Sequence, residues 1–345
     1  MHSEGQLTGK VVVTGGAGYL GSHCAAELLA LGYEVLIIDN FSNSSSNVIS
    51  KIERCANKAP EVEEVDICDL SGLQKVMHRF SPDYVIHFAA LKSVSDSIQS
   101  PDEYYRINVG GSANLLSVMG MIDCQVLIFS SSATVYGTPQ YLPCDENHPI
   151  NPLNPYGRTK YIVEQMIEEW VRANLLQSRQ AICLRYFNPV GAHSSGFLGE
   201  SPLSDPSNLM PVISEVAAGL RDSVAIFGID YPTSDGTGER DYVHVMDLVD
   251  AHIKALEGRC MLSKFEVLNI GTGRSTSVRE LISLYELVAG RTISSITAPR
   301  RDGDAASCWA DVSKAERLLG LKCRRSLRQM CEDDFRWRRN QGLAL

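Results

Sequence analysis

The sequence lacks the signatures of several classes of protein. None of its ten cysteines forms a C-x-x-C pair, so the common zinc and dithiol redox motifs are missing. No apolar run approaches the ~20 residues that a membrane-spanning helix needs. The first six residues contain no apolar signal core. We therefore expect a soluble cytoplasmic protein with reduced thiols, no membrane contact and no bound metal.

Positive charge is also scarce. The chain has 32 Lys and Arg against 41 Asp and Glu, a formal net charge of −9. This balance disfavours sequence-independent binding to nucleic acid, which depends on basic residues facing phosphate. A few arginines can still form a local site for a small anion. At roughly 150 residues per domain, the 345 residues predict about two domains.

Short apolar strands alternate with helices through the first half of the chain. The predicted strands are 10–13, 34–38, 84–88 and 126–129, and the predicted helices between and after them are 22–31, 71–80 and 102–119. Strands that are apolar along their whole length, and that alternate with helices, are typical of a parallel sheet covered on both faces. The sequence therefore predicts a doubly wound α/β architecture.

The pattern changes near residue 188. The segment 188–238 is rich in Gly, Pro, Ser, Asp and Asn, with one predicted helix at about 209–220. Regular structure returns with a predicted helix at 245–257 and a predicted strand at 265–270. Long irregular segments in compact proteins are often functional. We predict one domain from 1–187 plus about 239–270, and a smaller, discontinuous C-terminal domain from 188–238 plus about 271–345.

A glycine-rich turn follows the first predicted strand. Gly15, Gly18 and Gly21 are spaced G-x-x-G-x-x-G before a helix, and Asp39 ends the next strand. This context is typical of dinucleotide binding, with a pyrophosphate at the helix N-terminus. Asp39 can accept from ribose hydroxyls and would repel a 2′-phosphate, which favours NAD over NADP. The alternative is a structural turn followed by a surface aspartate.

A tyrosine and a lysine lie four residues apart at a predicted helix start. Asn154 suits the N-cap and Pro155 the first helical position, which places Tyr156 and Lys160 on one face. The ammonium, the positive helix end and an oxidised nicotinamide would together lower the pKa of the phenol from ~10 to near 7. Tyr156 would then be a general base. The alternative is an ordinary exposed tyrosine on an amphipathic helix.

Longer motifs carry a resemblance to a known family. They are IHFAALK at 86–92, SSSATVYG at 130–137, RYFNPVGAH at 185–193, NLMP at 208–211, DGTGERDY at 235–242 and RRDGD at 300–304. The chain resembles the extended short-chain dehydrogenase/reductases, and within them the UDP-galactose 4-epimerases, over about residues 10–337. The resemblance implies a Rossmann sheet in the larger domain, which would bind NAD, and a nucleotide-sugar substrate domain.

The resemblance also implies a mechanism. Tyr156 would take the proton from the sugar 4′-hydroxyl while a hydride passes from C4′ to NAD. Lys160 would hold the nicotinamide ribose and lower the pKa of the tyrosine, and Ser132 would bond the 4′-oxygen. The 4-ketose would turn over and take the hydride back on its other face. UDP-galactose and UDP-glucose would interconvert with no net redox change, while NAD stays bound.

The resemblance assigns two sets of ligand residues. The expected NAD contacts are Gly15, Gly18, Tyr19, Leu20, Asp39, Asn40, Asn43, Asp66, Ile67, Phe88, Lys92, Asn108, Tyr156, Lys160 and Phe187. The expected UDP-sugar contacts are Ser132, Tyr156, Asn188, Asn208, Ala225, Ile226, Phe227, Arg240, Arg301, Asp304 and Cys308. The arginines would grip the diphosphate, Asp304 the uridine ribose, and 225–227 the uracil. The alternatives are a polar helix residue for Asn108 and surface salt bridges for the arginines.

Cys308 suggests a broader substrate range. It falls where family members restricted to glucose and galactose carry a bulky tyrosine beside the sugar. A small side chain leaves room for an N-acetyl group, so we expect UDP-GalNAc and UDP-GlcNAc to be interconverted too. The alternative is a cysteine that merely packs.

Two other functions stay open. A sugar-nucleotide 4,6-dehydratase has the same fold but typically needs an acidic pair beside the Ser/Thr position, and 132–135 contains no carboxylate. A non-catalytic NAD-binding sensor would be free to lose Tyr156 and Lys160, which this chain retains. The resemblance also implies a homodimer through helices at 102–119 and 156–174, although their apolar stripes could equally be intrachain core.

Overall fold

A computed structural model of the single chain describes residues 9–173, 178–203, 206, 208–301 and 303–342. The predicted domain bounds also include 1–8 and 343–345, which lie outside the described residues. The strands are β1 (Lys10–Thr14), β2 (Glu34–Asp39), β3 (Glu61–Glu64), β4 (Tyr84–His87), β5 (Val126–Ser132), β6 (Gln180–Tyr186), β7 (Asn188–Val190), β8 (Val224–Phe227), β9 (Glu239–Arg240), β10 (Tyr242–His244), β11 (Phe265–Ile270), β12 (Thr276–Ser277), β13 (Ser295–Ala298) and β14 (Ser307–Cys308).

The helices surround these strands. They are α1 (Tyr19–Ala30), α2 (Asn47–Ala56), α3 (Leu70–Phe80), α4 (Val94–Gln99), α5 (Pro101–Tyr104), α6 (Ser112–Met121), α7 (Pro155–Arg172), α8 (Leu209–Ala217), α9 (Val245–Glu257), α10 (Val278–Ala289), α11 (Ser313–Leu319) and α12 (Leu327–Asn340). None of the helices in the described ranges is both long and apolar enough to cross a membrane.

The central sheet has seven parallel strands in the order β11-β6-β5-β4-β1-β2-β3. Alternate residues of β1 enter two separate cores: Val11 and Val13 pack with α1 and α9, and Val12 packs with α3, α6 and α7. Both faces of the sheet are therefore covered by helices. The predicted doubly wound Rossmann architecture is confirmed. Its strand order changes direction between β1 and β4, where ligands bind in such sheets.

A third core lies outside the central sheet. It draws on segments far apart in sequence, including Met210 and Ile213 of α8, Tyr285 of α10 and Met330 of α12. β8 pairs with β13 beside it, in parallel. We propose on this basis that these segments form the smaller, discontinuous domain. Its bounds at 187, 238 and 270 stay a prediction.

The stretch predicted as helical at 102–119 is helical throughout, but it is not one regular α-helix. α5 ends at Tyr104, residues Tyr105–Gly111 form a π-helical turn, and α6 follows from Ser112. The wider turn contains Asn108, whose side chain is hydrogen-bonded to the backbone of Leu91. It also lets Gly111 approach Ile67, since a Cβ on Gly111 would lie 2.5 Å from Ile67 Cδ1. Such turns are frequent at functional sites.

Candidate active site

The glycine turn is packed too tightly for side chains. Gly15 has a φ of +67°, and a Cβ there would lie 2.7 Å from the Ala89 backbone nitrogen. A Cβ on Gly21 would lie 2.2 Å from the Gly15 carbonyl oxygen. Gly18 is the N-cap residue of α1, so no side chain at the cap covers the first-turn amides. The positive end of α1 is therefore open to an anionic group, as a pyrophosphate site requires.

Asp39 lies against this turn. Its Oδ2 accepts from the Ala17 backbone N–H at 2.9 Å, and its Oδ1 accepts from the Phe41 N–H at 2.9 Å and the Ser44 hydroxyl at 3.1 Å. These bonds fix a carboxylate at the end of β2, beside the N-terminus of α1. The glycine turn and Asp39 together fit a dinucleotide with a free 2′-hydroxyl.

The residues expected around the adenine form a second group. Asn40 donates to Asp66 Oδ2 at 2.9 Å, and the Cys68 N–H donates to Asp66 Oδ1 at 2.8 Å. Although burial opposes it, these bonds lower the pKa of Asp66. Ile67 is buried beside them. Asn43 instead accepts from the Leu203 N–H at 3.3 Å.

Tyr156, Lys160 and Ser132 come together at the carboxyl end of β5. The Asn154 side chain caps α7 by accepting from the Gly157 N–H at 2.8 Å, as predicted. Lys160 is only 3% exposed and donates to the Ser130 carbonyl at 2.7 Å. Its Nζ lies 5.9 Å from the centroid of the Tyr156 ring. The ammonium is thus placed by a backbone carbonyl rather than by the phenol.

The pKa values of this pair are shifted by burial. Burial raises the pKa of Tyr156 to about 12, while its hydrogen bond with Ser132 lowers it. Burial lowers the pKa of Lys160 to about 7, against an attraction to Glu164 that raises it. The expected phenol pKa near 7 counted on the charge of an oxidised nicotinamide and stays a prediction for the NAD-bound protein. In the polypeptide alone, desolvation of the phenolate outweighs the hydrogen bond with Ser132.

A buried ion pair lies directly behind these residues. Arg185 donates to Glu164 through Nε at 2.9 Å and Nη2 at 2.6 Å, and through Nη1 to the Tyr136 hydroxyl at 3.1 Å. Ser131, next to Ser132, donates to the same carboxylate. Tyr136 donates in turn to Asn269 at 2.6 Å. The network ties β5, β6, α7 and β11 together under the candidate site. Sequence motifs included Arg185, but nothing in them singled out Glu164.

Asn108 is engaged by the protein. It is 2% exposed. Its amide donates to the Leu91 carbonyl at 3.0 Å and to the Thr159 hydroxyl at 3.1 Å, and its Oδ1 accepts from the Leu91 N–H at 2.8 Å. These bonds favour the alternative interpretation of Asn108 as a structural polar residue. In that role it holds the segment after β4 against α7. Phe88 in that segment packs its ring on His252 at 4.8 Å between centroids.

Glu200 connects the two predicted ligand sets. Lys92 donates to Glu200 Oε1 at 2.6 Å, and Asn208 donates to the same oxygen at 2.9 Å. Glu200 is 5% exposed. An expected cofactor residue and an expected substrate residue thus share one buried carboxylate. The sequence prediction did not include Glu200, because no motif surrounds it.

The residues expected to bind the nucleotide sugar are partly paired with one another. Arg240 donates to the Glu239 and Ala305 carbonyls, each at 2.9 Å, and forms a 3.4 Å ion pair with Asp304. The salt-bridge alternative thus holds for Arg240 in this structure. The Arg301 guanidinium stacks on the Phe227 ring at 3.8 Å from its centroid. Arg301 thus lies against the 225–227 segment expected to meet the uracil, and Arg240 lies beside Asp304, which is expected to meet the uridine ribose.

Cys308 lies on β14, in register with Arg240 of β9. It packs against a small buried cluster that contains Cys144 and Phe187. A hydrogen bond with Cys144 lowers the pKa of the Cys308 thiol. Cys308 is half-buried, so it packs on one side and keeps another side open. Asn188 is exposed nearby, on β7, which pairs with β10.

Over the residues that the structure describes, no group of three or more His, Cys, Asp and Glu side chains is placed to hold a metal ion.

Comparisons with known proteins identify the family. The model of the NAD dependent epimerase/dehydratase family matches residues 11–271. The human UDP-glucose 4-epimerase is 45% identical over 337 residues, which is 96% of each chain. UDP-glucose 4-epimerase 2 of Arabidopsis thaliana is 45% identical over 96% of this chain and 95% of its own.

Solved structures agree with these matches. UDP-glucose-4-epimerase from Stenotrophomonas maltophila, with bound NAD and formylated UDP-arabinopyranose, has a TM-score of 0.94 at 45% identity and covers 98% of this chain and 100% of its own. The Bifidobacterium longum enzyme, in complex with NAD+ and UDP, has a TM-score of 0.92 at 42% identity and covers 97% and 100%. The resemblance found in the sequence motifs is thereby confirmed: this chain belongs to the NAD-dependent epimerase/dehydratase family.

Proposed function

We propose that this protein is an isomerase that interconverts UDP-glucose and UDP-galactose with NAD as its cofactor. The observation that supports the proposal is the hydrogen bond between Tyr156 and Ser132, with Lys160 Nζ 5.9 Å from the Tyr156 ring centroid, in a chain whose residues 11–271 match the family. The glycine turn and Asp39 would hold NAD, which would supply reversible hydride transfer at sugar C4′.

The chain's own residues have distinct parts in this mechanism. Tyr156 Oη takes the proton of the 4′-hydroxyl and later returns one to the 4′-oxygen. Ser132 holds that oxygen, and Lys160 supplies the positive charge that favours the phenolate. Arg240 and Arg301 hold the diphosphate, for which Arg240 must exchange its ion pair with Asp304.

The supporting experiment uses the purified protein with UDP-galactose and no added cofactor. We expect UDP-glucose to form, and Tyr156→Phe to lower kcat by at least ~100-fold, the lower end for loss of a general base. Tyr141→Phe is the matched control, since Tyr141 is exposed and donates to Asp145 away from the site. Full activity of Tyr156→Phe would refute the mechanism. A 4-keto-6-deoxy product would indicate the dehydratase, and no product the sensor.

We also propose that UDP-GalNAc and UDP-GlcNAc are substrates. The support is the half-buried position of Cys308 next to Arg240 in the β14–β9 register. Cys308→Tyr is expected to lower activity on UDP-GalNAc by more than tenfold while activity on UDP-galactose persists. Cys308→Ser should retain both activities. A wild-type protein that is inactive on UDP-GalNAc would contradict the proposal.

A homodimer and a cytoplasmic location complete the proposal. Much of the apolar stripe on the expected dimer helices is intrachain core, including Leu115, Met119 and Ile167. Ile98 of α4, which is 61% exposed, is a better candidate for an interface. Analytical ultracentrifugation of the wild type and of Ile98→Glu tests whether this residue lies in a dimer interface.

The proposed cytoplasmic location is consistent with the cysteines. All ten are free thiols, as in a reducing compartment, and cell fractionation tests the location.

A further inference from the structure

A cluster of polar side chains lies away from the candidate active site. It joins Glu27 of α1, Cys55 of α2 and His193 in the segment after β7. Glu27 is nine residues, about 13 Å of helix rise, beyond the glycine turn. His193 Nε2 lies 3.2 Å from Glu27 Oε1, and His193 Nδ1 lies 3.8 Å from Cys55 Sγ. The imidazole thus connects a carboxylate with a thiol.

Ser195 adds a second connection inside this cluster. Its Oγ lies 2.7 Å from His193 Nδ1 and 3.3 Å from Cys55 Sγ. The thiol proton can therefore reach the imidazole directly or through the hydroxyl. A nucleophile beside a base that a third group orients is the general arrangement of an activated nucleophile. Among the described residues, no other cysteine is hydrogen-bonded to a histidine.

The hydrogen bonds of the cluster make His193 a stronger base. Burial lowers the pKa of His193, but its hydrogen bonds with Cys55 and Glu27 outweigh burial and raise that pKa to about 9. His23 faces His193 from α1 with ring centroids 6.1 Å apart, and burial lowers its pKa to about 3, so it stays uncharged. Arg54 of α2 stacks on Phe197.

The C-terminal helix adds one more cation. Arg336 of α12 donates to the Ser194 carbonyl at 3.1 Å and pairs with Asp333. Glu27 is thus the carboxylate that contacts the imidazole itself, through Nε2. Nδ1 faces Cys55 and also accepts from the Ser195 backbone N–H at 3.2 Å. Cys55 is half-buried rather than enclosed, so a small reagent can reach it.

We propose that Cys55 is a modification site, a thiol activated by the Glu27–His193 pair for exchange with small disulfides. The proton of the Cys55 thiol passes to His193 Nδ1, and the sulfur attacks one sulfur of the disulfide. A new S–S bond forms as the old one breaks, and the leaving thiolate takes the proton from His193. One thiol and one disulfide become a mixed disulfide and a free thiol, so the disulfide is the oxidant.

The test measures modification of each cysteine in the full-length protein. Oxidised glutathione at pH 7 is the probe, and peptide mass spectrometry gives the rate at each site. Cys55 should react at least tenfold faster than Cys260, an exposed cysteine that serves as the internal control.

Two variants test the partners. His193→Asn should lower the rate at Cys55 at least tenfold and leave the rate at Cys260 unchanged. Glu27→Gln keeps a hydrogen-bond acceptor for the imidazole but not its charge, and should give an intermediate rate with an unchanged melting temperature. Equal rates at Cys55 and Cys260 in the wild type would overturn the proposal. So would a rate at Cys55 that neither variant changes.

Discussion

Glu164→Gln probes the buried ion pair behind the candidate active site. Glu164 and Arg185 are 3% and 5% exposed, and two guanidinium N–H groups donate to the carboxylate at 2.9 and 2.6 Å. The glutamine has one oxygen where the carboxylate has two, and its amide N–H faces the arginine's own donors. A buried charge that loses its partner costs about 3–5 kcal/mol. We expect the free energy of unfolding to fall by that amount, out of a typical total of ~5–15 kcal/mol.

A double variant separates the ion pair from its packing. Glu164→Leu with Arg185→Met removes both charges, and replacing a buried pair by apolar side chains of similar volume is often close to neutral. The double variant should therefore be more stable than Glu164→Gln in urea unfolding followed by circular dichroism. A free energy of unfolding for Glu164→Gln within about 1 kcal/mol of the wild-type value would refute the reasoning. So would a double variant whose loss of stability equals the sum of the losses in the two single variants.

The same substitution has a catalytic signature that a merely structural role would not give. Glu164 raises the pKa of Lys160, which burial lowers to about 7. Removing the carboxylate lowers that pKa further, so Lys160 loses its proton at a lower pH. Activity that needs charged Lys160 then declines earlier as pH rises. The alkaline limb of the kcat/KM profile of the holoenzyme should move to lower pH, and an unmoved limb would contradict the electrostatic link.

Three further perturbations have outcomes that the structure specifies. Gly21→Ala places a Cβ 2.2 Å from the Gly15 carbonyl oxygen, so the absorbance spectrum of the purified protein should show no bound NAD. Gly110→Ala is the control: its Cβ would have no contact closer than 4.0 Å, and this variant should retain NAD. Lys92→Met leaves the Glu200 carboxylate without its cation. Because Lys92 is half-exposed, the free energy of unfolding should fall by only about 2 kcal/mol. Unchanged stability would contradict this. Burial raises the pKa of Asp334 from 3.8 to about 6, so the folded state binds the proton more tightly and ionisation costs stability as pH rises from about 4 to 6. Asp334→Asn should therefore gain up to about 3 kcal/mol at pH 7 and nothing at pH 4, and a gain that is equal at both pH values would contradict this.

Apolar runs predicted the strands of the central sheet unevenly. β1, β2, β4, β5 and β11 match strands predicted from the sequence, because each is rich in apolar residues, although β11 is an edge strand whose first three residues are only partly buried. β3 was not predicted, since Glu61–Glu64 holds three glutamates, and an edge strand that pairs on one side only tolerates such a sequence. β6 was not found either. It carries Arg185 inside a buried strand, which the fold accepts only because Glu164 of α7 pairs with it.

Spacing along the chain predicted part of the candidate site and the resemblance implied the rest, but neither predicted the partners of these residues. The glycine turn and the Tyr156–Lys160 pair are local patterns, so the sequence contains them in full. Glu200 meets Lys92 from 108 residues away, and Cys55 meets His193 from 138 residues away. Contacts of this kind depend on how the elements pack, and no local pattern records them.

Packing also affects the pKa of Tyr156. A motif fixes two residue types four positions apart, but it does not fix how much water they keep. Burial raises the pKa of the Tyr156 phenol to about 12 and lowers that of the Lys160 ammonium to about 7. The expected phenol pKa near 7 counted on three positive sources, and the oxidised nicotinamide is the one that the polypeptide does not supply. We therefore expect Tyr156 to ionise most readily when NAD is bound.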